Sequence, residues 1–548
     1  MITHLIDAIC RQGKISLISC HHEQSAAFAA DAVARVTGRP GVAMATSGPG
    51  ATNLLTGIGT CYFDSSPAIF ITGQVNTYEQ KGNKPIRQQG FQETDIVSIA
   101  HSITKASWRV KTPVEVPDIL VKAYNLSLSG RPGPVLIDIP MDVQRLEIDS
   151  PLPVPLSPPV IKSPNKILIN ELLKELSSAK RPMILVGGGI HSARAGKIFR
   201  NFVEKVNIPV VHSLMAVDAL PYTHPLRVGM IGTYGNRWAN KALGSSDFLL
   251  VIGSRLDIRQ TGADTESFKT GKTIYHIDCE EGEINNRITG CRPVLAHLQP
   301  FLAMAAEIST QYCLPDRSDW LNKIRNLRQS YPDTAELKGI SGINPNEFMH
   351  TLSRESNSAS AFVLDIGQHQ MWAAQSLEIN SEQRLITSGG MASMGFALPA
   401  SIGASLASPG HPVVLIVGDG GFQFNIQELE TIIHNKLPIK IVVINNKCYG
   451  MVRQFQESYF EKRYQSTYWG YSAPDFSKIA QAYGIQSLTI DKTEDILHAI
   501  KQMWQDTQIP FLLQVMIDPL VNIYPKIAFG LPITEMEPLA KPIEMEGT

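Results

Sequence analysis

Asp419 and Asn446 are the residues of this 548-residue sequence whose types and spacing point most directly to chemistry. A carboxylate and an amide oxygen suit Mg²⁺ or Ca²⁺, hard cations that also accept carbonyl, water and phosphate oxygens. Asp419 lies in Gly418-Asp419-Gly420-Gly421, whose glycines let backbone and a diphosphate approach closely. A helix following them would present its positive N-terminus to the anion. Taken alone, Gly-Asp-Gly also reads as a plain turn. An EF-hand is excluded, because the alternating acidic ligands and closing glutamate are missing.

Such residues need strands to carry them. Val413 to Val417 is a continuous apolar run, Asn425 to Asn435 has a helical pattern, and Ile439 to Ile444 is a β-branched run ending in Asn445-Asn446. This predicts a β-α-β unit of a parallel sheet buried on both faces. Asp419 and Asn446 would then leave the carboxyl ends of two strands, where open α/β sheets bind ligands.

The rest of the composition sets limits. The length suggests about three domains. Forty-nine Lys and Arg against 50 Asp and Glu give a formal net charge of −1, so there is no electrostatic case for nucleic acid or an anionic membrane. Seven cysteines without CxxC spacing suggest a reducing compartment. No apolar run reaches spanning length, and Met1-Ile2-Thr3-His4 lacks a basic n-region, so a cytoplasmic protein without membrane contact is expected.

Toward the start, Ile15 to Cys20 reads as a strand, His21-His22-Glu23 as its loop and Gln24 to Val36 as an Ala-rich helix. Glu23 has a bland reading as a carboxylate offsetting a helix dipole. Gly41 to Thr46 and Ala68 to Gly73 read as further strands, and six prolines between Pro151 and Pro164 as a semi-rigid linker. Met183 to Gly189 is a strand and glycine turn but a poor dinucleotide fingerprint, and the next strand ends without a ribose-binding acid, so NAD is not expected. The expected architecture is α/β, with three doubly wound parallel-sheet domains. Their bounds are 1–150, 167–310 and 344–535, with a linker at 151–166, a connector at 311–343 and a tail at 536–548.

Gly-Asp-Gly followed by an Asn-Asn that ends 27 residues after the Asp resembles the motif of thiamine diphosphate enzymes. Within that family the chain resembles the large, catalytic subunit of acetolactate synthase. Segments that carry the resemblance are His21-His22-Glu23-Gln24, Thr46 to Asn53, Phe91-Gln92-Glu93, Gly229 to Gly235, Val251 to Arg259, Gly367 to Trp372 and Ser388 to Pro399. The family folds into pyrimidine-binding, central FAD-type and diphosphate-binding domains.

The resemblance implies Asp419, Asn446 and the Cys448 carbonyl as Mg²⁺ ligands, and Glu23 as the acid that hydrogen-bonds the cofactor aminopyrimidine. A carboxyl handing over a proton there is intelligible general acid–base chemistry. It implies thiamine diphosphate contacts from Pro49, Asn53, Gln74, Gly367, Gln368, His369, Met391, Met394, Gly418, Gly420, Gly421, Gly450 and Met451. FAD contacts are implied at Arg131, Gly235, Arg255 and Asp278. Phe91, Gln92, Arg259 and Phe455 are the implied acceptor-pocket residues, Arg259 holding the 2-keto acid carboxylate. Bland readings stand beside several of these: surface salt bridges for Arg255 and Arg259, a solvated loop histidine for His369, core filler for Met394.

The implied activity is decarboxylation of pyruvate and transfer of the two-carbon unit to a second 2-keto acid. A homodimer or homotetramer is implied, with a small regulatory subunit possible in principle. Four departures bear on this. The helix, strand and YPGG-like loop that open family members are missing; Phe455 replaces a tryptophan; Met141 replaces a lysine; and Thr233 replaces a methionine. Asn76 to Gly90 is also longer, either a solvated surface loop or a widened entrance. The alternatives are transfer to a nucleotide-linked keto sugar and a non-catalytic paralogue that keeps the fold.

Overall fold

The structure, a computed structural model, describes residues 1–148 and 164–543. Residues 151–163 of the Pro-rich linker and the last five residues of the tail lie outside the described residues.

Three parallel sheets organise the chain. The first has four strands in the order Gly41–Ala45, Ala68–Gln74, Pro134–Pro140 and Ala106–Arg109. The second runs Arg292–Leu295, Thr273–Asp278, Phe248–Ile252, Pro182–Val186, Val210–His212 and Arg227–Met230. The third runs Arg384–Thr387, Ala361–Leu364, Val413–Gly418, Ile439–Asn445, Phe511–Met516 and Gln486–Ile490.

Alternation explains why the third sheet is buried on both faces. Val414, Ile416, Val442 and Ile444 pack with Phe348 and Trp372 on one side. Val413, Leu415, Val417, Ile439, Ile441 and Val443 pack with Phe396 and Phe422 on the other. Successive side chains of a strand point to opposite faces, so continuous apolar runs are what a sheet covered twice requires. Phe28 and Ala32, from helix Glu23–Thr37 of the first unit, belong to that second core, so the first and third units share apolar packing.

Helix Glu23–Thr37 is Ala-rich for a steric reason. A β-carbon at Gly41 would overlap Ala30 O, one at Gly57 would overlap Ala27 Cβ, and one at Gly403 would overlap Ala29 O. Three neighbouring elements therefore approach its backbone closely, which glycine and alanine alone permit.

Several local expectations are corrected. Ile15 to Cys20 is not a strand: it is extended chain, its residues half-buried or exposed, between helix Thr3–Gln12 and helix Glu23–Thr37. Glu23 is the first residue of that helix rather than part of a loop. Asp419 likewise opens a helix, Asp419–Phe424, instead of sitting in a turn before one. The single helix expected at Asn425 to Asn435 is a 3₁₀ turn, Ile426–Glu428, running into helix Leu429–His434.

Candidate active site

The third sheet reverses its strand order between Ala361–Leu364 and Val413–Gly418, which creates the crevice where such sheets take ligands. The segments leaving these two strands carry Gly367, Gln368 and His369 on one side and Asp419 on the other; the adjacent strand Ile439–Asn445 delivers Asn446.

Here three oxygens converge. Asn446 Oδ1 lies 2.8 Å from Cys448 O and 3.2 Å from Asp419 Oδ1. Turning the amide over would convert both contacts into hydrogen bonds. It would also set the amide oxygen 2.9 Å from Gln368 Oε1, which is locked because Gln368 Nε2 donates to Val521 O at 3.0 Å. The stable orientation has Asn446 Nδ2 donating to Gln368 Oε1 at 2.9 Å and Oδ1 accepting from Cys448 N at 3.3 Å.

Oxygens so placed repel unless a cation lies between them. Octahedral Mg²⁺ with bonds of about 2.1 Å holds neighbouring ligand oxygens roughly 3 Å apart, so the set fits that ion. Asp419 agrees: it is buried, and burial pushes its carboxyl up to about 7 despite a hydrogen bond at 3.0 Å from Tyr471 Oη to its Oδ2. No group of three His, Cys, Asp or Glu side chains suited to a metal exists among the described residues.

The surroundings fit an anionic diphosphate. The His369 ring is buried against Gly367 and Gly418, burial lowers its pKa to about 3, and its Nε2 has no hydrogen-bond partner among the described residues. A β-carbon at Gly420 would crowd the Tyr449 ring at 2.5 Å and meet Met394 Cε at 3.3 Å, so Met394 stands over the glycine turn. Gly450 cannot carry a β-carbon without overlapping Gln368 Oε1, and one at Gly421 would meet Asp365 Oδ1 at 2.5 Å. The amide of Gln368 is thus used to hold Asn446 rather than to face a ligand directly.

A second group forms in the first unit. Glu23 Oε2 accepts from Asn53 Nδ2 at 2.9 Å, and a β-carbon at Gly50, next to Pro49, would stand 3.2 Å from Glu23 Oε1. Gln92, at a positive φ of 63°, packs its Cβ against Gly48. Phe91 beside it is 79% exposed. Glu93 orders the preceding segment by accepting from the backbone N–H groups of Lys81, Gln89 and Gly90 at 2.7, 2.9 and 3.2 Å. Gln74 departs from its expected role: it is buried, its Nε2 donating to Thr94 O at 2.8 Å and Asp138 Oδ2 at 3.1 Å, so it braces the sheet end.

A third group lines a cavity of about 1790 Å³ between the units, with Arg131, Arg255, Arg259, Asp278 and Met451 on its wall. Arg131 is already engaged, donating to Glu280, Glu283 and Ser65 at 2.9, 2.6 and 2.7 Å. Arg255 has a loose contact of 3.8 Å to Asp257, and the Arg259 guanidinium has no ion-pair partner among the described residues. Burial raises the Asp278 carboxyl. One expected member stands apart: Gly235 lies in a turn beside Met230 O and does not line the cavity, while Met391, expected at thiamine diphosphate, rests against Gly59.

Helix Gly450–Tyr459 joins the groups. It starts at the oxygen cluster and places Met451 on the cavity. One turn later comes Phe455, 42% exposed and packed 4.9 Å from Tyr459 and 5.8 Å from Phe460. Residues the sequence reading passed over also matter. Asp365 accepts from Ile366 N, Gly395 N and Ala397 N at 2.8, 3.0 and 2.8 Å, fixing the segment that carries Met394. It ends an apolar strand as Asp419 does, and that signal was available. Tyr471, remote in sequence from Asp419, gave no such signal.

Comparison with known proteins agrees with this geometry. The family described as "Thiamine pyrophosphate enzyme, N-terminal TPP binding domain" matches residues 1–99, its central domain 169–304 and its C-terminal TPP binding domain 365–515. The "Acetolactate synthase large subunit" of Lactococcus lactis subsp. lactis (strain IL1403) is 38% identical over 535 residues, 97% of this chain and 91% of that protein. The "Acetolactate synthase isozyme 2 large subunit" of Escherichia coli (strain K12) is 35% identical over 529 residues, 96% of this chain and 92% of that protein. The "Acetolactate synthase 2, chloroplastic" of Nicotiana tabacum is 36% identical over 538 residues, covering 95% and 79%. Among the described residues no helix is long and apolar enough to cross a membrane. With its three α/β units matched in order and relatives aligned over nearly its whole length, the chain belongs to the thiamine diphosphate-dependent acetolactate synthase large-subunit family.

Proposed function

We propose that this chain is a thiamine diphosphate- and Mg²⁺-dependent acetolactate synthase, which decarboxylates pyruvate and joins the two-carbon unit to a second 2-keto acid. The observation that carries the reading is the convergence of Asp419 Oδ1, Asn446 Oδ1 and Cys448 O at a sheet end within 2.8 to 3.2 Å. These would hold the cation, and the unpartnered His369 Nε2 would meet the diphosphate. Bound there, thiamine diphosphate supplies the electron sink for breaking and making carbon–carbon bonds. Glu23 Oε1, which the bond to Asn53 through Oε2 leaves free, is the atom that would exchange a proton with the cofactor. Arg259, free of an ion pair, offers its guanidinium fork to the acceptor carboxylate.

FAD is proposed for the large cavity, whose wall includes Gly188, Gly189, Gly253 and Arg255, the last a cation held only loosely by Asp257. A homodimer or larger is proposed because Glu23 and the Asp419 cluster occupy different units with no hydrogen bond between these two groups among the described residues, while Phe91 is exposed next to Gln92, which packs on Gly48. A smaller regulatory partner is in keeping with relatives whose names include "large subunit", and a cytoplasmic location with seven cysteines that are all free thiols.

The test is purified full-length chain with pyruvate, Mg²⁺ and thiamine diphosphate, following acetolactate and CO₂. Acetolactate from pyruvate alone is the expected result. Thiamine diphosphate binding that ignores Mg²⁺, or CO₂ release without acetolactate, overturns the proposal.

A further inference from the structure

Glu428 is a fully buried carboxylate with no ion-pair partner among the described residues. Its Oε1 accepts from His21 N at 3.0 Å and His22 N at 3.1 Å; its Oε2 accepts from Thr431 Oγ1 at 2.6 Å and His21 N at 3.3 Å. A carboxylate removed from water without a cation persists only when hydrogen bonds replace its hydration, and charge-assisted ones do so most effectively. Two of these donors are the peptide N–H groups immediately before Glu23. His22 is moreover the cap of helix Glu23–Thr37, its Nδ1 accepting from Gln24 N at 3.1 Å. A rotation of that peptide would swing Glu23 directly. Cys20 lies close by as well: burial first, then the Glu428 charge, pushes its thiol up to about 12.

The join between first and third units does not depend on this charge. Arg35 Nη1 donates to Thr387 O at 2.6 Å, Arg384 Nη1 to Arg35 O at 3.1 Å and Ser25 Oγ to Asn425 Oδ1 at 3.1 Å, while Gly403 abuts Ala29. What Glu428 adds is orientation of the loop that delivers Glu23. We propose that Glu428 is a positioning residue for Glu23, a clamp from the third unit on the two peptides that set the glutamate's direction. The segment running from Asp419 through the 3₁₀ turn Ile426–Glu428 thus carries a candidate cation ligand at one end and this clamp at the other.

The inference rests on the proposed role of Glu23, and its test separates the two. Glu428→Gln, Glu23→Gln and the double variant are compared in the full chain with Mg²⁺ and thiamine diphosphate. The readouts are the exchange rate of the cofactor C2 proton, cofactor affinity and thermal unfolding. Glu428→Gln is expected to slow exchange on the order of 10²-fold, the effect of a misplacement of about 1 Å, with affinity little changed. The double variant is expected to be no slower than Glu23→Gln alone, since groups acting through one another are non-additive. Wild-type exchange in Glu428→Gln, or losses that multiply in the double variant, overturns the clamp. Thr431→Val, which withdraws only the hydroxyl that orients the carboxylate, decides the matter if Glu428→Gln does not fold. It should slow exchange in the same direction, and an unchanged rate overturns the clamp. Unchanged exchange in Glu23→Gln would instead remove the role assigned to Glu23.

Discussion

The oxygen cluster of the third unit and the Glu23 group of the first are built on opposite plans. Around Asp419 the neighbours are braced by one another: Asn446 by Gln368, Gln368 by Val521 O, the glycines by rings and side chains that fill the space a β-carbon would take. Around Glu23 one oxygen is held and one is free, and Phe91 projects from the surface. At the end proposed for a cation and a diphosphate the chain braces its own groups and leaves His369 Nε2 open. Where a substrate must enter and a proton must move, it leaves valences open and depends on what arrives. Preorganisation is concentrated at the end of the site that never changes during turnover.

The largest effect should come from breaking the closed end. Asp419→Ala removes a cation oxygen and is expected to lower kcat/KM by more than about 10³-fold, several kcal/mol of charge stabilisation, while Mg²⁺-dependent cofactor binding disappears in a fluorescence titration. Next comes the open end: Glu23→Gln should reduce kcat by about 10²- to 10⁴-fold with cofactor affinity nearly intact. A comparable loss of affinity would show that both ends grip alike and erase the contrast. Tyr471→Phe tests how far the cage extends. Outer partners of metal ligands typically contribute 10- to 100-fold in affinity, and about tenfold weaker Mg²⁺ binding by calorimetry is expected.

Phe455→Ala should change the ratio of products from pyruvate and 2-ketobutyrate by about tenfold, within the range an apolar pocket contact commands, with little change in unfolding temperature. The smallest effect lies away from both ends. Burial draws the His350 pKa down, but the hydrogen bonds its ring donates to Asp333 at 2.9 Å and Glu378 at 2.8 Å, with their charges, outweigh it and raise it above 6.5. A raised histidine contributes stability in full below its unfolded value and loses it as pH climbs through the folded one. Wild type should therefore fall toward His350→Gln in unfolding temperature between pH 6.5 and the folded pKa.

Much of the fold was legible because its signal is local. The runs Val413 to Val417 and Ile439 to Ile444 are apolar at every position, as a doubly covered sheet demands, and the glycine-flanked aspartate follows the first without a gap. Ile15 to Cys20 shows the limit. Its composition suits a strand, yet strands require a partner edge, and no neighbour pairs with it among the described residues. Gln74 shows another: a polar residue at a strand end can face a ligand or brace its own sheet, and Asp138, 64 residues away, decided for the brace. Glu428 and Tyr471 were passed over for the same reason, since their partners His21 and Asp419 lie 407 and 52 residues distant and no periodicity reports such pairs.

The glycines around helix Glu23–Thr37 carry one more consequence. Where Gly41 meets Ala30 O and Gly403 meets Ala29 O, main chain touches main chain with no rotamers to exchange, so contact distance holds the helix against its own sheet on one side and the third unit on the other. Substitutions that repack the cores on either side should leave its placement untouched. A library randomising Gly41, Gly57 and Gly403 should return almost nothing larger than glycine, whatever the activity selected, because a β-carbon there would overlap Ala30 O, Ala27 Cβ and Ala29 O.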